Sequence, residues 1–477
     1  MGKKNVIKNY IYNLSYQILA IFIPLITTPY LSRVLGAENI GIYSYTLSIV
    51  TYFILSGSLG VALYGQKEIA YVQDDIEERS KKFYEIFAMK SITMILSLIV
   101  FYFVFCLNGK YNIYYSILIL EMIANIIDVS WFFQGMEEFK KTVIRNMIVK
   151  ILGLVLTLIF VKNSNDLVKY FWIYVITNFI GNLTLWSYLR KYIIKVNIKD
   201  LKIFKHLKPC IILFVPQIAT QIYTVLDKTM IGTILNDISE VAYYEQSQKI
   251  VKVLLTLITA FGTVMLPRIS NYFAKNDTKK IKESLNKSFN YASIMSVPLM
   301  FGIISVSDSL VPWFLGSGYE KAIIILKVIS PIVLFISLTN VMGTQYLLPV
   351  KREKQYTIGV VTGAITNLIA NFILISKFNS VGAAIATDIA EFAVLLVMGF
   401  FTRNDFEYKV IIKKLIKYCC FGLMMYICCY IVELLLSPSF ICMIIQLIVG
   451  FFVYIILLLI SKDEFIYNIL NKLKEKY

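Results

Sequence analysis

Charged and amide side chains interrupt the apolar runs of this chain, and their spacing groups several of them on shared helix faces. Lys249 and Lys252 are three residues apart, with Glu245 one turn before Lys249. Asp388 and Glu391 repeat that spacing, and Asn367 and Asn371 stand four apart. Asp227 neighbours Lys228, Lys327 sits in an isoleucine-rich run, and Arg33 closes the first run. A charge in a helix surrounded by lipid costs at least ~2.5–3.5 kcal/mol, so such residues ordinarily face a cavity and act there. Arg33, Lys249, Lys252 and Lys327 suit a lining for an anionic cargo, a phosphate or pyrophosphate being the obvious one. Asp227 with Asn367 and Asn371, joined by Asp388, suits an oxygen-rich site for a coupling ion, Na+ or H+. The same residues also have a plainer reading, in which Asp227–Lys228 and Glu245–Lys249 are local pairs that anchor helices. Glu121 and Asp128 share one face of the fourth run, and pairing with Lys90 or Lys150 accounts for them as simply as a functional role does.

The elements that carry these groups are set by composition. The chain is 58% hydrophobic and 16% charged, with mean hydropathy +0.70, whereas soluble domains average about 25% charged. Apolar runs of roughly 20 residues recur from end to end, and lipid forces such runs into helices. The expected fold class is therefore an all-α integral membrane protein. Spans are expected at Tyr10–Leu31, Tyr43–Tyr64, Ile86–Leu107, Tyr114–Phe133, Val143–Val161, Tyr170–Leu189 and Cys210–Ile231. They continue at Ile250–Leu266, Phe289–Val306, Ala322–Leu347, Tyr356–Ile375, Val381–Phe401, Leu415–Leu436 and Phe440–Ile460, about 14 transmembrane helices in all. The lysine-flanked first run reads as an uncleaved span. Pro24 and Pro216 interrupt the first and seventh spans, where a bend can shape a cavity. Tyrosines such as Tyr10, Tyr12, Tyr16, Tyr30, Tyr43 and Tyr45 crowd span ends as an interfacial belt.

Loop charge orients the bundle. Counting alternate connections from the N-terminus, one set holds 35 of the 47 Lys and Arg and the opposite set 8, the other 4 falling within spans. Positive residues stay on the cytoplasmic side, so both termini are expected there and the number of spans is expected to be even. The net charge of +17 then follows from insertion and attraction to anionic lipid, not from nucleic-acid binding. The loops Gly65–Glu85 and Pro267–Lys287 read as amphipathic segments lying on the surface. The 7 cysteines form no metal-ligand spacing and the lone His206 reads as a surface residue in a lysine-rich loop, so neither a metal centre nor a catalytic centre is expected.

The segment Leu31–Gly36 is similar to Ile231–Asn236, and Ala37–Ile49 to Asp237–Ile250. Six spans separate the copies, which gives a parallel repeat. The expected organisation is an N-terminal lobe over 1–200 with spans one to six and a C-terminal lobe over 201–402 with spans seven to twelve. An additional pair of helices and a cytoplasmic tail occupy 403–477. A path for cargo would lie between the lobes.

Pro24-Leu-Ile-Thr-Thr-Pro-Tyr-Leu-Ser-Arg-Val-Leu-Gly36 and Glu38-Asn-Ile-Gly-Ile-Tyr-Ser-Tyr45 resemble the N-terminal signature of bacterial polysaccharide flippases of the O-antigen and capsule type. Leu63-Tyr-Gly-Gln-Lys-Glu-Ile-Ala70, Val225–Gly232, Tyr243–Ile250 and Met265–Ser270 resemble further markers of that family, which belongs to the multidrug/oligosaccharidyl-lipid/polysaccharide exporter superfamily. The resemblance implies two six-helix lobes plus two lipid-facing helices. It implies an undecaprenyl-diphosphate-linked oligosaccharide as cargo, carried to the outer leaflet of the bacterial cytoplasmic membrane. It also implies cavity arginines on the diphosphate and a cation site on Asp227 with Asn367 and Asn371. An Asn at 371, where related flippases have Asp, leaves the choice between Na+ and H+ open. The implied partners are the lipid-linked oligosaccharide, the lipid bilayer and the polysaccharide polymerase machinery, with no cofactor beyond the coupling ion. A cation-coupled drug exporter is the alternative within the superfamily. A membrane polymerase or ligase is the alternative outside it, but the short outward loops argue against an enzyme.

Overall fold

The computed structural model describes the backbone of residues 3–463 and the side chains of all of these except 3–18, 21, 198, 213, 215–224 and 263–264. Tyr10, Tyr12, Tyr16 and Pro216 therefore lie outside the described side chains. The described residues are helical and contain no strand. Ten helices among them are long and apolar enough to cross a membrane. The chain forms two compact units, Met1–Thr229 and Met230–Tyr477.

The first unit contains α1 (Lys3–Ser58), α2 (Val61–Ala70), α3 (Ile76–Phe101), α4 (Asn112–Ile126), α5 (Ser130–Gly135), α6 (Phe139–Phe160), α7 (Leu167–Leu189) and most of α8 (Leu207–Ile234). At 56 residues α1 would extend about 84 Å if straight, far beyond one bilayer crossing. It is divided at Gly36, whose φ of 77° and ψ of 171° break the helix and suit glycine's freedom at positive φ. α2 packs against α5 at two glycines. A Cβ on Gly65 would come within 2.4 Å of Trp131, and one on Gly135 within 2.7 Å of the Gln66 carbonyl. Around them Phe83, Trp131, Phe132 and Phe133 form a buried aromatic core.

The second unit contains α9 (Ser239–Ala274), α10 (Thr278–Phe314), α11 (Glu320–Ile329), α12 (Ile332–Met342), α13 (Glu353–Phe401), α14 (Tyr408–Leu435) and α15 (Phe440–Ile460). α13 is a hairpin of two helices that reverse at Asn379, which takes a left-handed φ of 55°. Gly382 lets the arms meet, since its Cβ would lie 2.1 Å from the Leu374 carbonyl. Further from the turn, Gly363 faces Val394 and Gly359 faces Met398. This register sets Asn367 and Asn371 at the depth of Ala390 and Ala386, and so beside the depth of Asp388. α14 seats on α10 at Gly422, where a Cβ would meet Phe301 at 2.4 Å. Gln446 of α15 donates to the carbonyls of Ser305 (3.0 Å) and Cys429 (3.3 Å).

Two sequence expectations are corrected here. Neither long loop lies on the surface as an amphipathic segment. Within Gly65–Glu85, α2 runs on to Ala70 and buries Gly65 and Ile69 in the core, and α3 begins as soon as Asp75 caps it. Within Pro267–Lys287, α9 and α10 run on to a tight turn, where Asp277 accepts from the Lys280 N–H at 3.1 Å. His206 is not a surface residue either. It is 1% exposed, because α2 and α3 close over the connection that leads into α8. Its Nδ1 meets the Tyr64 hydroxyl at 2.7 Å and its Nε2 meets Glu85 at 2.9 Å.

Candidate cargo and cation sites

The segment of the first unit that ends at Gly36 carries Arg33, exposed three residues before the break. Asp227 lies on α8, only 2% exposed. One turn of hydroxyls accompanies it: Thr229 bonds Ser48 at 2.9 Å and Tyr52 at 3.2 Å. Asp227 is thus set against α1 in a polar seam within a single unit.

The second unit carries the lysines. Glu245 pairs with Lys249 at 3.3 Å, the local pair that the i, i+4 spacing allows. Lys252 donates to the Gln248 amide oxygen at 3.0 Å. Gln248 in turn donates to the Tyr244 hydroxyl at 3.3 Å, which meets the Thr387 hydroxyl at 2.9 Å. A chain of hydrogen bonds therefore runs from the ammonium of Lys252 through α9 to the residue beside Asp388. Asn371 donates to Asn367 at 3.0 Å, and both amides are fully buried. Oδ1 of Asp388 is buried without a hydrogen-bond partner among the described residues. The α13 hairpin thus collects acceptor oxygens at one depth, which is what a bound cation or proton requires.

Lys327 is engaged differently. It forms an ion pair with Asp308 of α10, and Glu433 of α14 lies within electrostatic reach of both. Asp308 was not visible as its partner in the sequence, because it lies two residues past the end of an apolar run. Tyr244, Gln248 and Thr387 were missed as well, since neutral side chains in helices carry no signal until the fold lines them up.

The fourth span is broken. α4 ends at Ile126 and α5 starts at Ser130. Unwinding frees backbone carbonyls, and in a membrane each must find a donor. Asn182 bonds Ala124 O at 2.7 Å, Trp186 bonds Ile127 O at 2.8 Å and Lys90 bonds Asp128 O at 2.9 Å. The Asp128 carboxylate caps Ser130 and lies 3.7 Å from Arg145. Glu121, one face with Asp128 in the sequence, takes neither Lys90 nor Lys150 as a partner. It accepts from Asn178 at 3.1 Å and, more weakly, from Asn125 at 3.4 Å.

A family model described as polysaccharide biosynthesis protein matches residues 6–273, more than half of the chain. This chain belongs to that family. A MatE model also matches residues 213–373, overlapping the end of that match. A putative O-antigen transporter of Escherichia coli is 27% identical over 412 residues, covering 85% of this chain and 98% of the relative. The fold is that of the solved lipid II flippase MurJ in an inward closed conformation, with TM-score 0.75 at 19% identity over 96% of this chain and 100% of that one. It is also similar to an inward-facing multidrug resistance MATE transporter, with TM-score 0.65 at 11% identity over 83% of this chain and 96% of the other.

Proposed function

We propose that this chain is a flippase. It carries an undecaprenyl-diphosphate-linked oligosaccharide repeat unit from the cytoplasmic to the outer leaflet for surface polysaccharide assembly. It works by alternating access and draws on a cation gradient. The membrane is the bacterial cytoplasmic membrane, both termini are cytoplasmic and the helices make fourteen crossings. The observation that carries the reading is the polar face of α9, where Lys249 and Lys252 share one side of the helix and Lys252 is wired through Gln248 and Tyr244 to Thr387. Arg33, Lys249 and Lys252 are the cations that a diphosphate meets on its passage, and Lys327 joins them only if it leaves Asp308. Asn367, Asn371 and Asp388 in the second unit are the proposed groups for the coupling ion, and Asp227 is the corresponding candidate within the first unit. Nothing in the described site resembles bond-making machinery, and the chain acts by moving its cargo rather than changing it. The polysaccharide polymerase machinery is the proposed recipient.

The test is purified protein in liposomes with a lipid-linked oligosaccharide that becomes accessible to an external glycosidase on flipping. Wild type exposes the glycan. Arg33→Ala lowers the rate at least tenfold, about 1.4 kcal/mol in the barrier, while its thermal unfolding is unchanged. Full flipping by a folded Arg33→Ala protein removes Arg33 from the site. The MatE match over 213–373 favours a second reading, a cation-coupled drug exporter. Uptake of a cationic dye by the same liposomes, with no exposure of glycan, would select it.

A further inference from the structure

We propose that Glu121 is a protonation site inside the first unit, and that its proton is one that the transport cycle moves. The site is built from three helices. Glu121 is 8% exposed on α4. Asn178 of α7 donates to Oε2 at 3.1 Å, and Asn125 of its own helix approaches Oε1 at 3.4 Å. Tyr43 of α1 and Tyr174 of α7 stand within electrostatic reach, their rings packed edge to face at 5.8 Å.

Asp128, the acid that acts electrostatically on Glu121, lies 3.7 Å from Arg145. Lys90 of α3 is bonded to the Asp128 carbonyl. Around Glu121 the groups are amides and phenols, and no ammonium or guanidinium pairs with it among the described residues. Burial without a counter-charge costs the carboxylate, whereas the two amide N–H donors solvate it, and this opposition keeps both the charged and the neutral form within reach. To accept the new O–H of the acid an amide need only turn its oxygen toward Glu121, a side-chain rotation that leaves the helices in place. The site also lies within two turns of the broken stretch between α4 and α5, and interrupted helices are where membrane carriers place their ion sites.

The step is simple to balance. Water on one side of the membrane delivers a proton to a carboxylate oxygen of Glu121, giving the acid. When the unit opens to the other side, the same oxygen returns the proton to water. No other bond changes. The coupling half of the proposal rests on the reading of the chain as a gradient-driven carrier, whereas the protonation half does not.

Infrared difference spectra of the protein in lipid nanodiscs, recorded across a pH titration, test the first half. Wild type shows a protonated-carboxyl band that fades as pH rises, and Glu121→Gln lacks it. Identical spectra from the two proteins overturn the site. Asn178→Ser serves as a second variant: loss of the donor moves the Glu121 band to higher frequency, and an unmoved band overturns the site in the same way. The second half is read in the liposome assay with an imposed proton gradient. Glu121→Gln loses at least tenfold of the gradient-driven rate, and a response equal to wild type overturns the coupling. A wild-type protein that shows the titrating band but flips no glycan lipid keeps the site and sinks the flippase reading instead.

Discussion

His206 holds a buried junction together. Its ring bridges Tyr64 and Glu85, and Glu85 also takes Lys205 at 2.7 Å and the Lys202 N–H at 2.7 Å. Burial pushes the imidazole below the usual histidine range, although Glu85 pulls the other way. The folded protein therefore binds the proton less readily than the unfolded chain does. Stability from this group is whole above about 6.5, the unfolded value, and is lost as pH falls through the lower folded one. Unfolding temperature in detergent should drop across that window, and His206→Gln, which keeps a donor but does not titrate, should flatten the fall. His206→Ala should cost on the order of 1–3 kcal/mol at neutral pH by stripping partners from Tyr64 and Glu85. An unchanged melting curve for His206→Ala would refute the junction. None of this was legible in the sequence, because burial of a loop residue is decided by helices that close over it from elsewhere in the chain.

The helices themselves were largely legible, since lipid dictates both their length and their hydrogen bonding. Their breaks were less so. Gly36 and Asn379 fall in the gaps expected between spans, but the interruption after Ile126 lies inside an expected span and depends on donors from α3 and α7. Contacts between helices were invisible as well, and α14–α15 illustrate a testable one. A Cβ on Gly450 would stand 3.1 Å from the sulfur of Cys429. That is close to the separation that disulfide geometry sets between one Cβ and the opposite sulfur, about 3 Å. Gly450→Cys should therefore oxidise onto Cys429, which is free in the native chain. Mass spectrometry after alkylation reads the bond, and its absence under a mild oxidant would mean that the two helices meet elsewhere.

For the molecule as a whole, the charge pattern makes the firmest demand. With 35 of 47 basic residues on one set of connections, a cysteine at Lys279, in the turn between α9 and α10, should be hidden from a membrane-impermeant maleimide in intact cells. Cysteines at Lys110 or Lys162 should react. The reverse pattern would invert the protein and with it the proposed direction of transport. At this scale the sequence was informative about class and family, because those follow from patterns spread over hundreds of residues. It was much less informative about the sites. Four lysines and arginines looked alike in the sequence, yet Lys327 is bound to Asp308 and Lys252 to Gln248, a difference that only packing creates.

The interrupted fourth span has a consequence for how the protein is made. Two of the carbonyls at its break are satisfied by Asn182 and Trp186, which lie 58 and 59 residues further along the chain. When α4 and α5 leave the ribosome, those donors have not been synthesised. The break between α4 and α5 must wait, beside the insertion machinery or with water at its carbonyls, until α7 packs against it. Biogenesis of the first unit should therefore have a checkpoint at α7, and chains truncated before α7 should be recognised and degraded as unfinished.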